Sequence, residues 1–258
     1  MNALAAHDDG DRTTFAVGGR WFTELRLWRP RGEARYVTGD AESAAVLLRG
    51  TFDLVGGGTA WPARGARTTE FEGRPMAVFL PPRTEFGAHH GDGEILVVAA
   101  RQPAAEPEPE GRAALSRKPL LPLAGSGKAF DPGTGEWRPA ETFPTSAESL
   151  PPRRMQRLPV GDVTVERVFA PDYKAATLSL DEAVLPAGAS LDLRAIPGRP
   201  LADEVLLFVR PRGTAQVRGG EQVLDVAQDT ALLVAAGEEL AVTALGDMAY
   251  VVIAYAGK

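Results

Sequence analysis

Short apolar runs, each bounded by glycine or proline, set the pattern of this chain. Ile95-Leu96-Val97-Val98-Ala99, Val205 to Val209 and Tyr250 to Tyr255 are rich in β-branched and aromatic residues. Runs of that length and composition predict buried strands. Between such runs stand Gly56-Gly57-Gly58, Gly91-Asp92-Gly93 and Gly219-Gly220. Glycine reaches the positive φ angles that tight connections need, so each cluster predicts a turn. The triple glycine precedes no helix signal and reads as a hairpin turn, not a phosphate loop. With 28 glycines and 21 prolines and little helical periodicity, the chain predicts an all-β fold of sandwiches or barrels.

The pattern occurs twice. Glu42 opens the run Ser43 to Leu48, which ends in Arg49-Gly50-Thr51; Glu204 opens Val205 to Val209, which ends in Arg212-Gly213-Thr214. Further on, Ala77 to Pro81 and Gly91-Asp92 recur as Ala231 to Ala235 and Gly246-Asp247. A nearly constant offset over several elements marks a duplicated unit, because chance likeness between apolar strands would drift.

Residues 12–103 and 160–258 are therefore expected as two barrels, with 1–11 as a flexible tail and 104–159 as a connector. The connector begins with alternating proline and glutamate, Pro103 to Glu110, a composition that favours an extended, solvated chain. Its later segments Pro119 to Leu123 and Phe130 to Trp137 are too apolar for a free tether and are expected to pack across the barrels.

Composition narrows the function. The absence of cysteine excludes disulfides, thiolate nucleophiles and cysteine metal sites. A net charge of −6 with scattered basic residues gives no electrostatic case for nucleic acid or an anionic membrane. No apolar run reaches the roughly 20 residues of a membrane span, and the acidic N-terminus does not read as a secretory signal. A cytoplasmic protein is the simplest expectation. Three histidines cannot complete a Ser-His-Asp arrangement with any clear partner set.

The glutamate-strand-Arg-Gly-Thr element and the strand-turn-strand element after it resemble a cupin, a small double-stranded β-helix barrel; two in one chain make a bicupin. More narrowly, Gly19-Arg20-Trp21-Phe22, the stretch Glu42 to Gly50 and the stretch Phe71 to Pro82 resemble the family of 5-deoxyglucuronate isomerases and related uronate ketol-isomerases. The likeness covers most of residues 12–103 and the second barrel in outline. It implies carbohydrate metabolism, with inositol catabolism as the setting, and barrels that face each other or pair into homo-oligomers.

The resemblance also implies a divalent metal in the C-terminal barrel, held by a His-x-His pair, a glutamate and a further histidine. Three imidazoles and one carboxylate would leave open positions where a sugar carbonyl and its neighbouring hydroxyl are polarised for proton transfer. Here Arg194 and Ile196 stand at the pair, Glu204 at the glutamate and Leu240 at the last ligand. Three of those four positions hold residues that bind no metal, so neither metal nor other cofactor is expected. In the N-terminal barrel the matching positions are about Thr38, Asp40, Glu42 and Phe86, of which Asp40 and Glu42 would suit only a hard ion.

The remaining candidates follow from side-chain chemistry. Glu204, beside Arg194, is a candidate base or half of an ion pair; His89 and His90, expected in a loop past the second turn, are candidate acid-base groups. Arg210 and Arg212, on either side of Pro211, would clamp a sugar carboxylate, and Arg194, Tyr250 and Glu42 complete the candidate ligand-binding set. Each has a structural alternative: an internal ion pair, a solvated turn or core packing. Leu240 and Phe86 would make both barrel interiors more apolar. Three functions are open: a metal-free bicupin binding a small ligand such as a sugar acid, an active sugar-acid isomerase using Glu204 or His89 and His90, and a structural assembly module.

Overall fold

A computed structural model of the chain describes residues 3–56, 59–73, 75–102, 128–131, 136–139, 156–169, 177–235 and 237–257. The N-terminal sheet contains β1 (Ala6–Asp8), β2 (Arg12–Phe15), β3 (Phe22–Trp28), β4 (Ala34–Val37), β5 (Ala41–Gly56), β6 (Thr59–Arg67), β7 (Ala77–Leu80) and β8 (Glu85–Arg101). A hairpin of β9 (Lys128–Asp131) and β10 (Glu136–Pro139) follows. The C-terminal half contains β11 (Gln156–Val160), β12 (Val163–Phe169), β13 (Leu178–Pro186), β14 (Ser190–Asp192) and β15 (Glu204–Arg212). It ends with β16 (Ala215–Gly219), β17 (Gln222–Val226), β18 (Thr230–Ala235), β19 (Leu240–Ala244) and β20 (Met248–Ala256). Among the described residues the one helical element is a 3₁₀ turn at Leu193–Ala195. The fold is all-β, as the sequence pattern requires.

Strand order exposes the duplication. The N-terminal path β1-β2-β3-β8-β5, with β7 beside β5, matches the C-terminal path β11-β12-β13-β20-β15-β18. The 16-residue β5 runs continuously where the second half divides into β15 and β16, and the 17-residue β8 runs where it divides into β19 and β20. Gly50 and Gly213 mark the corresponding bends, with φ of +93° and +90°.

One turn expected from the sequence is absent. Gly91-Asp92-Gly93 lies inside β8, and so do His89 and His90, which the sequence placed in a loop. These glycines are present for close approach, not for reversal. A Cβ on Gly93 would sit 2.1 Å from the Arg49 carbonyl oxygen, and one on Gly91 2.1 Å from the Phe52 ring. Register shifts between Leu47 and Arg49 and between Thr51 and Asp53 bend β5 around β8 at this point. The Gly219-Gly220 cluster does make its hairpin, joining β16 to β17.

Three apolar layers make the core. Ala45, Leu47, Phe52, Leu54, Ile95 and Val97 fill the N-terminal barrel, and Val205, Leu207, Val209, Val251 and Ile253 fill the C-terminal one. The alternate residues of those strands point the other way. Ala44, Val46, Leu48, Leu96 and Val98 meet Leu206, Phe208, Val252 and Ala254 in a shared layer between the barrels. That is why these strands read as continuous apolar runs: one face fills a barrel and the other is buried in the seam.

Residues at the margins join in. Within the segment expected as a tail, Ala6–Asp8 pairs with β2, and the Leu4 amide donates to the Ala231 carbonyl at 2.8 Å. Most of the connector, 104–127, 132–135 and 140–155, lies outside the described residues. The expected packing of Pro119 to Leu123 and Phe130 to Trp137 therefore falls outside them too, apart from the β9–β10 pairing.

Gly93→Ala discriminates strand crossing from turn. It should destabilise the protein by about 2 kcal/mol or more, because backbone on both strands must move. A denaturant midpoint shifted by less than the equivalent of about 1 kcal/mol, the usual scale of a tolerated glycine substitution, would contradict the close crossing.

Candidate functional site

The two glutamates that open β5 and β15 occupy equivalent positions and do equivalent work, but not the work expected. Glu204 shares its strand face with Leu206 and Phe208, so its carboxylate leaves the C-terminal barrel and enters the seam. There Oε1 accepts the Arg20 amide at 2.6 Å, while Oε2 accepts those of Trp21 and Phe22 at 2.8 and 3.3 Å. Glu42, fully buried, reaches the opposite way. Its Oε1 accepts the Thr177 amide at 2.7 Å and also the Leu178 amide, and Gln102 donates to its Oε2 at 3.5 Å. Each carboxylate thus caps the backbone at the start of a strand of the other barrel, β3 or β13.

Arg194, expected beside Glu204, is exposed and pairs with Asp192 and Glu239 instead. Ile196 and Leu240 are buried in the C-terminal core. Asp40 and Glu42 do not converge: Asp40 is exposed in an ion pair with Arg83 at 2.9 Å, while Glu42 is in the seam. Phe86 is buried edge-on to Trp28, ring centres 6.3 Å apart. His89 borders a shallow cavity of about 320 Å³ with Arg35, Arg83 and Glu85. The side chain of His90 lies outside the described residues.

Arg210 is committed. It makes a two-pronged pair with Asp229, at 2.8 and 2.6 Å, and reaches Glu94 at 2.6 Å and Glu70 at 3.4 Å on the other half. These acids leave it no open fork for a ligand carboxylate. Arg29 and Arg49 also reach Glu94, at 2.9 and 3.2 Å. Burial opposes the Glu94 charge, but Arg210, Arg29 and Arg49 outweigh it and hold the carboxyl below the usual carboxylate range.

Tyr250 is fully buried in the seam, in a polar cluster with Arg67 and Glu182 that the sequence did not reveal. Arg67 of β6 crosses to Glu182 of β13 at 3.1 Å, both almost fully buried, and its guanidinium lies 5.9 Å from the Tyr250 ring centre. Burial raises the Glu182 carboxyl, against the pull of Arg67, and Glu166 directly across the strand pair adds to the rise. Arg67 Nε and Glu182 Oε1 are buried without a hydrogen-bond partner among the described residues.

A second unforeseen cluster lies inside the C-terminal barrel. Arg167 grips Asp181 at 3.0 and 3.3 Å, Tyr255 donates to Asp181 at 3.2 Å, and Arg167 also donates to the carbonyls of Gly198 and Pro197. The adjacent acids Asp181 and Glu182, within an apolar strand, were its available signal. Alternation sends the first into the barrel and the second into the seam.

Two openings flank the seam. One, of about 360 Å³, is bordered by Arg29, Arg49, Phe71, Glu94, Arg210 and Arg212; Arg212 lies 4.8 Å from the Phe71 ring centre. The other, of about 430 Å³, is bordered by Arg49, Thr51, Arg67, Thr68 and Asp92. Arg49 borders both, and the segment 67–71 forms a common wall.

Residues 21–116 match the family model of the KduI/IolB family. Over that segment the chain resembles the family. No curated protein sequence matches it. Among solved structures, an IolB-like protein from Salmonella typhimurium LT2 aligns with a TM-score of 0.67 at 15% identity, covering 99% of this chain and 93% of its own. AerE from Microcystis aeruginosa aligns at 0.57 with 7% identity, covering 99% of each chain. Quercetin 2,3-dioxygenase from Acinetobacter baumannii aligns at 0.57 with 12% identity, over 99% and 86%. At these identities the alignments show the fold, the two-barrel cupin.

The metal implied by likeness to the KduI/IolB family does not fit this chain. Of its four ligand positions, one side chain is exposed and cationic, two are apolar and buried, and the carboxylate serves the other barrel's backbone. Among the described residues no group of three or more His, Asp and Glu side chains is placed to hold a metal ion. Nor, among the described residues, is any helix long and apolar enough to cross a membrane.

Removing either capping carboxylate should loosen the seam. Glu42→Ala leaves two buried amides unpaired and should cost about 3 kcal/mol or more, with Glu204→Ala costing less at its half-exposed site. Urea unfolding of the three proteins measures this. A loss below about 1 kcal/mol for Glu42→Ala would contradict the capping role.

Proposed function

We propose that this protein is a metal-free bicupin, related to the KduI/IolB family, that binds a small sugar acid at the seam between its barrels and does not carry out a metal-dependent isomerisation. The observation that carries this reading is the fate of the ligand positions. Ile196 and Leu240 are part of the C-terminal core, Arg194 is held at the surface by Asp192 and Glu239, and Glu204 is engaged with three backbone amides. A metal of this class needs several donors at fixed geometry, and one occupied carboxylate does not supply them.

The chemistry of the openings supports the choice of ligand. Arginine, threonine and carboxylate side chains border the space beside Arg49, a mixture suited to a molecule with one acid group and several hydroxyls. The volumes, about 360 and 430 Å³, fall in the usual range for small-molecule sites. The barrel interiors offer less room: Phe86 and Leu240 are buried where open polar space would be required.

Two measurements decide the matter. Protein purified without chelator and then challenged with Zn²⁺ and Mn²⁺ should retain less than about 0.1 equivalent of either. Calorimetry should show binding of D-glucuronate and none of D-glucose, with affinity falling as salt rises because an arginine–carboxylate contact is screened. Stoichiometric metal would overturn the metal-free reading, and absence of uronate binding at millimolar concentration would overturn the choice of ligand.

A further inference from the structure

Arg67 differs from the other arginines of the seam. Its side chain is only 6% exposed, yet it borders the 430 Å³ opening. Among the described residues its ion-pair partner is Glu182, reached through Nη1, and its Nε is buried with no hydrogen-bond partner. A guanidinium has five donors in a rigid fork, and an unmet one in a buried site is costly unless a ligand or water meets it. Arg210, by contrast, is surrounded by three acids.

The surroundings of Arg67 restrict what would complete it. Thr51, Thr68 and Asp92 border the same opening, and the Thr68 hydroxyl also donates to Glu72 at 3.4 Å. Arg49 adds a second guanidinium, half-exposed at the rim. An acid group suits the arginines, while Asp92 accepts hydrogen bonds from hydroxyls and repels a second negative charge. That combination favours a polyhydroxylated monocarboxylic acid over a dianionic phosphate ester. Among the described residues that border the opening, none carries an apolar side chain.

We infer that Arg67 is the residue that reads the ligand's carboxylate, that Thr51, Thr68 and Asp92 meet its hydroxyls, and that the 430 Å³ opening is the binding site. This rests on the sugar-acid reading above and assigns it to one side of the seam. The site has a built-in counterpart: Glu182 competes with the ligand for the same guanidinium from the opposite barrel, so occupancy is sensed at the contact between barrels.

Removing Arg67 alone would leave Glu182 buried without its partner, so the test uses a matched pair of proteins. Glu182→Gln serves as the reference, and Arg67→Gln is added to it, which keeps a polar amide pair in the seam. Calorimetric affinity for D-glucuronate should fall at least tenfold between the reference and the double variant. Thr68→Val, at an exposed position on the opening, tests the site independently of the buried pair and should weaken binding about threefold or more. Should the double variant fail to fold, Thr68→Val decides. Glucuronate affinity unchanged in the variants that fold would overturn this assignment while leaving the sugar-acid reading intact. Failure of the wild-type protein to bind glucuronate would instead remove the reading on which it rests.

Discussion

Each half of the molecule places one buried or half-buried carboxylate on the backbone amides of the other, and the arrangement of the two barrels depends on that exchange. Glu42 receives the amides at the start of β13, and Glu204 receives those at the start of β3. A strand entering a buried seam carries N–H groups that no neighbouring strand satisfies, and leaving them unpaired is expensive. An ionised carboxylate is a strong acceptor for several such donors at once. Because the unit is duplicated, one solution serves twice, and each barrel lacks its cap without the other.

Other features of the seam follow from this docking. With the strand starts fixed, the outward faces of β5, β8, β15 and β20 meet and bury a common apolar layer. Polar side chains at its edge are then drawn out of water and must find partners across the halves. Arg210 finds Glu94 and Glu70, and Arg67 finds Glu182. Such pairs are poor sources of net stability, since desolvation offsets most of their attraction, but breaking one partner away is costly. They fix how the barrels sit, and they place Arg210 and Arg67 at the borders of the two openings.

The fold was legible in the sequence because its signals are local and repeated. Short β-branched runs, the matched Arg49-Gly50-Thr51 and Arg212-Gly213-Thr214, and the resemblance of the first half all survive in the structure. The direction of side chains was less legible. The family resemblance puts Glu204 at a metal-ligand position of the C-terminal barrel, but a single-residue change of phase on a strand sends a side chain to the opposite face, and nothing local to Glu204 fixes that phase. Gly91 to Gly93 suggests a turn from sequence alone, yet glycine equally signals the absence of a side chain at a strand crossing. The pairing of Arg67 with Glu182 joins residues far apart in the chain, and no local pattern announces it.

Amide hydrogen exchange under native conditions tests the interlock of the barrels most directly. The amides of Trp21 and Leu178, each held by a carboxylate from the other half, should exchange only by global unfolding, with the same free energy as core amides of β5 and β20. Exchange of these two amides at a markedly lower free energy, while both barrel cores remain protected, would show that the barrels open along the seam as independent units and would contradict the interlock.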